Sequence, residues 1–262
     1  MKPLSALKAS DLANIKMVSF DVDGVLVEKG TEIFEVQDVE KDNVLIMKTK
    51  RVSPELVKKL IRLKKHVHIN ISSGRSLIYL VEVFNPILWN NASLQSENGL
   101  FTLIAGKVIQ NTNLTFEELA MLRKIRKEIY KMMEDNSNIR GFEPKQFLIS
   151  VHCFKEEPAI VELVKRLDVN KEFSIKWSSE AYNIFPKRVS KGTGLKELTK
   201  LLSINLSQVL VVGNDPNDKE AVDGLSISVT TSPDTLTADY YTKSKLDLGG
   251  KALVDRLLEI FE

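Results

Sequence analysis

Val209-Leu210-Val211-Val212 is an unbroken aliphatic run that stops at Gly213-Asn214-Asp215-Pro216-Asn217-Asp218. Such a run has no polar face, so a strand built from it must be covered on both sides, as in a parallel sheet flanked by helices. Two further stretches have a related form. Met17-Val18-Ser19-Phe20 ends in Asp21-Val22-Asp23-Gly24, and Val67-His68-Ile69-Asn70-Ile71 ends in Ser72-Ser73-Gly74-Arg75. Helical patterns lie between these runs. Ser53-Pro54 supplies an N-cap and a first-turn proline ahead of Leu56, Leu60 and Leu63, and a second helix is expected over about 77–84. The strand ends of an open parallel sheet gather on one edge, where such folds bind ligands. The chain therefore reads as α/β, with a doubly wound, Rossmann-like parallel-sheet core.

Residues 112–185 break that alternation. Thr115-Phe116-Glu117-Glu118 matches a capping box and opens a long helix rich in Arg and Lys. A strand over 147–154, a helix over 157–168 and strands over 171–178 and 181–185 follow, the order of a small α+β module. The expected organisation is a core of residues 1–111 and 186–262 with an α+β cap, 112–185, inserted into it. A hairpin is expected over 31–50, turning at Glu40-Lys41-Asp42-Asn43, and another over 100–110, turning at Ala105-Gly106-Lys107. The first has no evident role.

Composition narrows the function by exclusion. A net charge of +2 gives no general case for nucleic acid or a membrane surface, and the basic helix face around Arg123 and Lys127 reads as solvated. The single cysteine, Cys153, excludes an intramolecular disulfide and fits a reducing compartment. No segment approaches the ~20 apolar residues of a membrane span, so a cytoplasmic protein is expected, as monomer or homodimer. His66, His68 and His152 have no metal-ligand spacing, and Trp89 and Trp177 read as packing residues.

The chemistry lies at the strand ends. Carboxylates beside a buried strand are costly unless a cation meets them. Asp21 with Asp23, Ser72 with Ser73, and Asn214, Asp215 and Asp218 all fall on one sheet edge, with Lys191 ahead of a helix. A carboxylate can attack phosphorus, a second can move the proton, and a hydroxyl and an ammonium can hold phosphoryl oxygens. Mg²⁺ on the carboxylates offsets the negative charge. Ser72 competes with Ser73 for the hydroxyl role, and Lys187 and Arg188 compete with Lys191.

The motifs D-V-D-G-V at 21–25, S-G-R at 73–75, S-K-G at 190–192 and G-N-D-P-N-D at 213–218 stand in the order of the haloacid dehalogenase superfamily of Mg²⁺-dependent phosphatases, which the chain resembles. Glu97-Asn98-Gly99 is similar to the E-N-G loop of its Cof-type and phosphomannomutase-like subgroup, whose C2 cap sits between the second and third motifs. The resemblance implies Asp21 as nucleophile and Mg²⁺ ligand, and Asp23 as acid/base and carbonyl ligand. It implies Ser73 as the phosphate-binding hydroxyl and Lys191 as the orienting cation. Gly74, Arg75, Asn98, Gly99 and Asn217 are then expected against a small phosphorylated metabolite, and Asn214, Asp215 and Asp218 at the metal. The family commonly has Asp at position 214; asparagine there offers an uncharged oxygen, and Asp215 is the alternative ligand. The implied reaction is hydrolysis of a sugar phosphate or phosphoglycolate-like ester through an aspartyl-phosphate. The alternatives are a phosphosugar mutase, disfavoured because the cap lacks an Arg-Asn-Gly-Met segment, and a catalytically silent binding or assembly protein.

Overall fold

The three runs become adjacent parallel strands, with Met17–Phe20 between Val209–Gly213 and His68–Ser72 and Val18 level with both Leu210 and Ile69. The computed structural model describes residues 1–30, 32–37, 43–178, 180–223, 227–242 and 248–262. It resolves into two units, one of residues 1–29, 51–112 and 189–262, the other of residues 30–50 and 113–188.

The first unit is α/β. Outward from Met17–Phe20, one side of the sheet runs through Val209–Gly213, Ile227–Thr230, Tyr240–Tyr241 and Lys2–Pro3; the other runs through His68–Ser72, Ala92–Ser96, Phe101–Ile104 and Lys107–Gln110. All pairings are parallel except those of the last hairpin, whose turn at Ala105 (φ 48°) and Gly106 (φ 75°) is left-handed as a tight hairpin requires. Trp89 is 64% exposed, contrary to its expected packing role. Pro54–Leu63 is capped by Ser53 Oγ, which accepts from Leu56 N at 3.2 Å, and buries Leu56, Leu60 and Leu63 as their spacing predicts. The helix Gly249–Phe261, not assigned from the sequence, buries Leu253, Val254, Leu257 and Leu258.

The strands are less apolar inside than their sequences suggest. Asn70 Nδ2 donates to Ser19 Oγ at 2.8 Å and to Gln95 Oε1 at 3.0 Å, while Ser93 Oγ donates to Asn70 Oδ1 at 2.9 Å. His68 Nε2 lies 2.9 Å from Ser93 Oγ, and Gln95 Nε2 donates to Thr102 Oγ1 and to the carbonyl of Gly194. Register makes this ladder possible, because Ser19, Asn70 and Ser93 stand level on three consecutive strands.

The second unit is α+β. Its antiparallel sheet runs in the order Phe173–Trp177, Ala181–Pro186, Ile149–Cys153, Ile139–Phe142. Helices Phe116–Asp135 and Pro158–Leu167 pack Ile125, Ile129, Ile160 and Leu163 against Val151, Tyr182 and Ile184. Alternation turns Ser150, His152 and Asn183 away from that core. The strand Ile139–Phe142 is not expected from the sequence, since Arg140 and Gly141 interrupt its apolar pattern. Residues 32–37 and 43–48 pair antiparallel as the expected hairpin requires, with Glu32 opposite Lys48; of the expected turn at 40–43, residues 40–42 lie outside the described residues and Asn43 begins the second strand. This hairpin clusters with the second unit, whereas the boundaries expected from sequence group residues 31–50 with the core. Among the described residues no helix is long and apolar enough to cross a membrane.

Candidate active site

The site lies at the C-terminal edge of the parallel sheet. Asp21 follows the Met17–Phe20 strand directly, and its amide donates to the carbonyl of Val212 at 3.0 Å. Gly24, at φ 81°, turns the chain just beyond Asp23; a side chain there would start 2.3 Å from Asn214 Nδ2. Only glycine allows the two loops to approach so closely.

Lys191 is the first residue of the helix Lys191–Leu201, whose N-cap Ser190 Oγ accepts from Thr193 N at 3.1 Å. The lysine is 3% exposed, not solvated as lysines usually are. Its Nζ donates to Asp21 Oδ1 at 2.6 Å and to Asp218 Oδ1 at 2.7 Å. Burial disfavours the ammonium, but the charges of Asp21 and Asp218 and the hydrogen bonds to both outweigh it and hold its pKa above the ordinary value. Burial, then the charge of Asp218, pushes Asp21 up to about 7, against the pull of Lys191. The second oxygen of Asp218 accepts from the amides of Asn214 at 2.9 Å and Asp215 at 3.2 Å, which closes the 214–218 loop on itself.

Asp23 is held separately. Arg75 grips it with two parallel bonds, Nε to Oδ2 at 3.0 Å and Nη2 to Oδ1 at 2.7 Å. Such fork-to-fork pairing fixes orientation as well as charge. The two serine candidates part company. Ser73 Oγ accepts from the Arg75 amide at 3.1 Å, shaping the S-G-R turn, while Ser72 Oγ is buried without a partner. Asn98 is 7% exposed; its amide donates to the carbonyl of Ser73 at 3.1 Å, and the Glu97 amide donates to that of Arg75 at 2.9 Å. The E-N-G turn, left-handed at 49°, 56° and 80°, therefore braces the S-G-R loop. On its other side it meets the Lys191 helix, where a side chain on Gly99 would start 2.8 Å from Gly194 Cα.

The last motif is divided. Asn214 Nδ2 donates to the carbonyl of Asp23 at 2.9 Å, so the asparagine reaches the Asp21–Asp23 loop. Asp215 turns to Lys29 Nζ at 2.9 Å, an ion pair with about half-exposed partners. Lys29 is a contact that sequence reasoning missed, and an exposed lysine after a turn carries no signal that would have found it. Asn217 Oδ1 and Asn214 Oδ1 are buried acceptors without partners.

Among the described residues no cluster of three or more His, Cys, Asp or Glu side chains is arranged to hold a metal ion. An ion bound here would rely on neutral oxygens beside a carboxylate. The unpartnered Asn214 Oδ1, on an amide already against the Asp23 carbonyl, is such an oxygen, and an all-oxygen set fits Mg²⁺. The residues present therefore fit the ion, at lower charge than a set with aspartate at 214.

A family model described as haloacid dehalogenase-like hydrolase matches residues 123–247. The fold recurs in the C-terminal domain of trehalose-6-phosphate phosphatase from C. albicans, at 17% identity, covering 99% of this chain and 98% of that one, with a TM-score of 0.69. It recurs in Thermoplasma acidophilum 0175, at 15% identity, 94% and 98% coverage and a TM-score of 0.64. A haloalkanoate-superfamily phosphatase from Bacteroides thetaiotaomicron matches at 14% identity, 94% and 95% coverage and a TM-score of 0.62. The family model spans the helix of Lys191 and the loop of Asp218, whose side chains meet at the ammonium that holds Asp21; over that stretch, just under half of its length, the chain is similar to the haloacid dehalogenase-like hydrolases, and its fold recurs in a phosphatase of the haloalkanoate superfamily.

Proposed function

We propose that the protein is a Mg²⁺-dependent phosphomonoester hydrolase that acts on a small phosphorylated metabolite through an aspartyl-phosphate. The observation that carries this reading is the buried ammonium of Lys191 between Asp21 and Asp218, at 2.6 and 2.7 Å, at the C-terminal edge of a parallel sheet. A fixed cation beside a strand-end carboxylate both orients that carboxylate and attracts a phosphoryl group to it.

In the proposed sequence an Asp21 oxygen attacks phosphorus and the ester bond breaks. Asp23 gives its proton to the departing alkoxide. Asp23 then takes a proton from water as that water attacks the aspartyl-phosphate, which releases inorganic phosphate and restores Asp21. Arg75, which holds both Asp23 oxygens in this structure, keeps the carboxylate in place and releases one oxygen when Asp23 carries the proton. Ser73, in the S-G-R turn, offers its hydroxyl to a phosphoryl oxygen, with Gly74, Asn98, Gly99 and Asn217 as further substrate contacts. Asp21, the Asp23 carbonyl and Asn214 Oδ1 would hold Mg²⁺, with Asp218 and Asp215 behind them. The ion, when bound, offsets the charge of carboxylate and phosphate. Residues 112–185 act as the cap in this reading, and the cytoplasm is the expected compartment. A sugar phosphate is the favoured substrate class, since two of the similar structures are described as phosphatases, one of them of trehalose-6-phosphate.

The test is phosphate release from a panel of phosphomonoesters with and without Mg²⁺. Wild type is expected to turn over at least one sugar phosphate, and Asp21→Asn to lose at least about 10³-fold in kcat. Equal turnover by Asp21→Asn would overturn the aspartyl-phosphate reading.

A further inference from the structure

A cavity of about 10 Å³ lies behind the candidate nucleophile, lined by Ser19, Ser72, Asp21, Lys191 and Asp218 over an apolar floor. That volume is about the least that takes one water molecule. Three of its wall groups have hydrogen-bonding capacity left over. Ser72 is 5% exposed and its Oγ has no partner. Ser19 Oγ already accepts from Asn70 Nδ2 at 2.8 Å, so its own proton needs an acceptor elsewhere. Lys191 has three N–H groups and two carboxylate partners. A buried hydroxyl without a partner is costly, and Ser19, Asn70, Ser93 and Gln95 beside it in the same sheet all have partners.

We propose that this cavity binds one structural water, accepting from Lys191 and Ser19 and donating to Ser72, and that Ser72 is thereby a positioning residue for Lys191. Strand alternation explains why Ser72 faces the cavity while its neighbour Ser73 shapes the S-G-R turn. The water joins the neutral ladder of the sheet, through Ser19 and Asn70, to the ammonium that orients Asp21. Without it the third N–H of Lys191 lacks an acceptor on the sheet side, and the ammonium is held by the two carboxylates alone.

The catalytic consequence rests on the phosphohydrolase reading, whereas the water itself does not. High-resolution crystal structures of the wild type and of Ser72→Ala test the water directly. A water within hydrogen-bond distance of both Ser72 Oγ and Lys191 Nζ is expected in the wild type. A dry cavity, or a direct Ser72–carboxylate bond in its place, overturns the proposal. Steady-state kinetics test the positioning role. Ser72→Ala is expected to lower kcat by about tenfold with KM unchanged, and Ser72→Thr, which restores the hydroxyl, to recover most of it. Unchanged kcat in Ser72→Ala, or a loss that Ser72→Thr does not reverse at equal Tm, overturns the role. If the wild type hydrolyses no phosphomonoester, the phosphohydrolase reading fails and the crystal structures still decide the water.

Discussion

Both units bury polar side chains on a sheet, but of different kinds. In the α/β unit the buried groups on the strands are amides and hydroxyls, joined from His68 through Ser93, Asn70 and Gln95 to Thr102, and the full charges stand at the strand ends. In the α+β unit the charge is on and beside the strands themselves. Arg140 Nη2 lies 3.3 Å from His152 Nδ1, His152 Nε2 is 3.6 Å from Glu143, and Lys145 Nζ is 3.9 Å from Glu143 and 3.3 Å from Asn183 Oδ1. A neutral ladder is satisfied by register alone, because each strand brings one donor or acceptor to the same level. A charged cluster also has to balance its sign, since an uncompensated buried ion costs several kcal/mol. The first sheet can thus be complete before any chemistry is placed on its edge, whereas the second depends on its ions for its own order.

Substitutions can break that contrast, and the largest effect belongs to the strand-end charges. Lys191→Met leaves Asp21 and Asp218 buried side by side, and a loss of about 3–5 kcal/mol in unfolding free energy by urea titration is expected. A loss under about 1 kcal/mol would mean the edge charges are not held as the geometry implies. Next is His68, whose pKa burial lowers to about 4. The unfolded chain takes up that proton near pH 6.5, so the stabilisation is complete above 6.5 and disappears as pH falls toward 4. The full span is about 3 kcal/mol. His68→Gln should therefore flatten the acid limb of a stability-versus-pH curve between those values; an unchanged slope would remove His68 from the ladder. Third, Glu143→Gln takes away the carboxylate facing Lys145 and His152 and should cost about 1–3 kcal/mol; no change in Tm would show that the second sheet does not rely on charge balance. Last, Lys29→Ala breaks an exposed pair and should alter unfolding free energy by less than about 0.5 kcal/mol.

What the sequence revealed follows the same division. Strands ending in Asp21, Ser73 and Asn214 were readable because an apolar run that breaks off in polar residues is what a buried strand reaching a sheet edge looks like, and the edge then follows from topology. The place of Lys191 before a helix was readable too, though not its burial, which needs Asp21 and Asp218 brought from 170 and 27 residues away. Asn70, Ser93 and Gln95 look like interruptions in isolation; they make sense only once three strands are set in register. Ile139–Phe142 was hidden by Arg140 and Gly141, whose value depends on neighbours across the sheet. The allegiance of the 32–48 hairpin is likewise a long-range matter, as its own pattern fixes its pairing but not what it lies against.

The contact between Gly99 and Gly194 is reciprocal: a side chain on Gly194 would start 2.5 Å from Gly99 Cα, and one on Gly99 2.8 Å from Gly194 Cα. The helix that begins with Lys191 is thus seated main chain against main chain on the E-N-G turn, which in turn braces the S-G-R loop. No rotamer intervenes at that junction. Side chains around it are free to drift over long divergence without carrying the ammonium away from Asp21, while either glycine, once replaced, cannot be rescued by any change in the other.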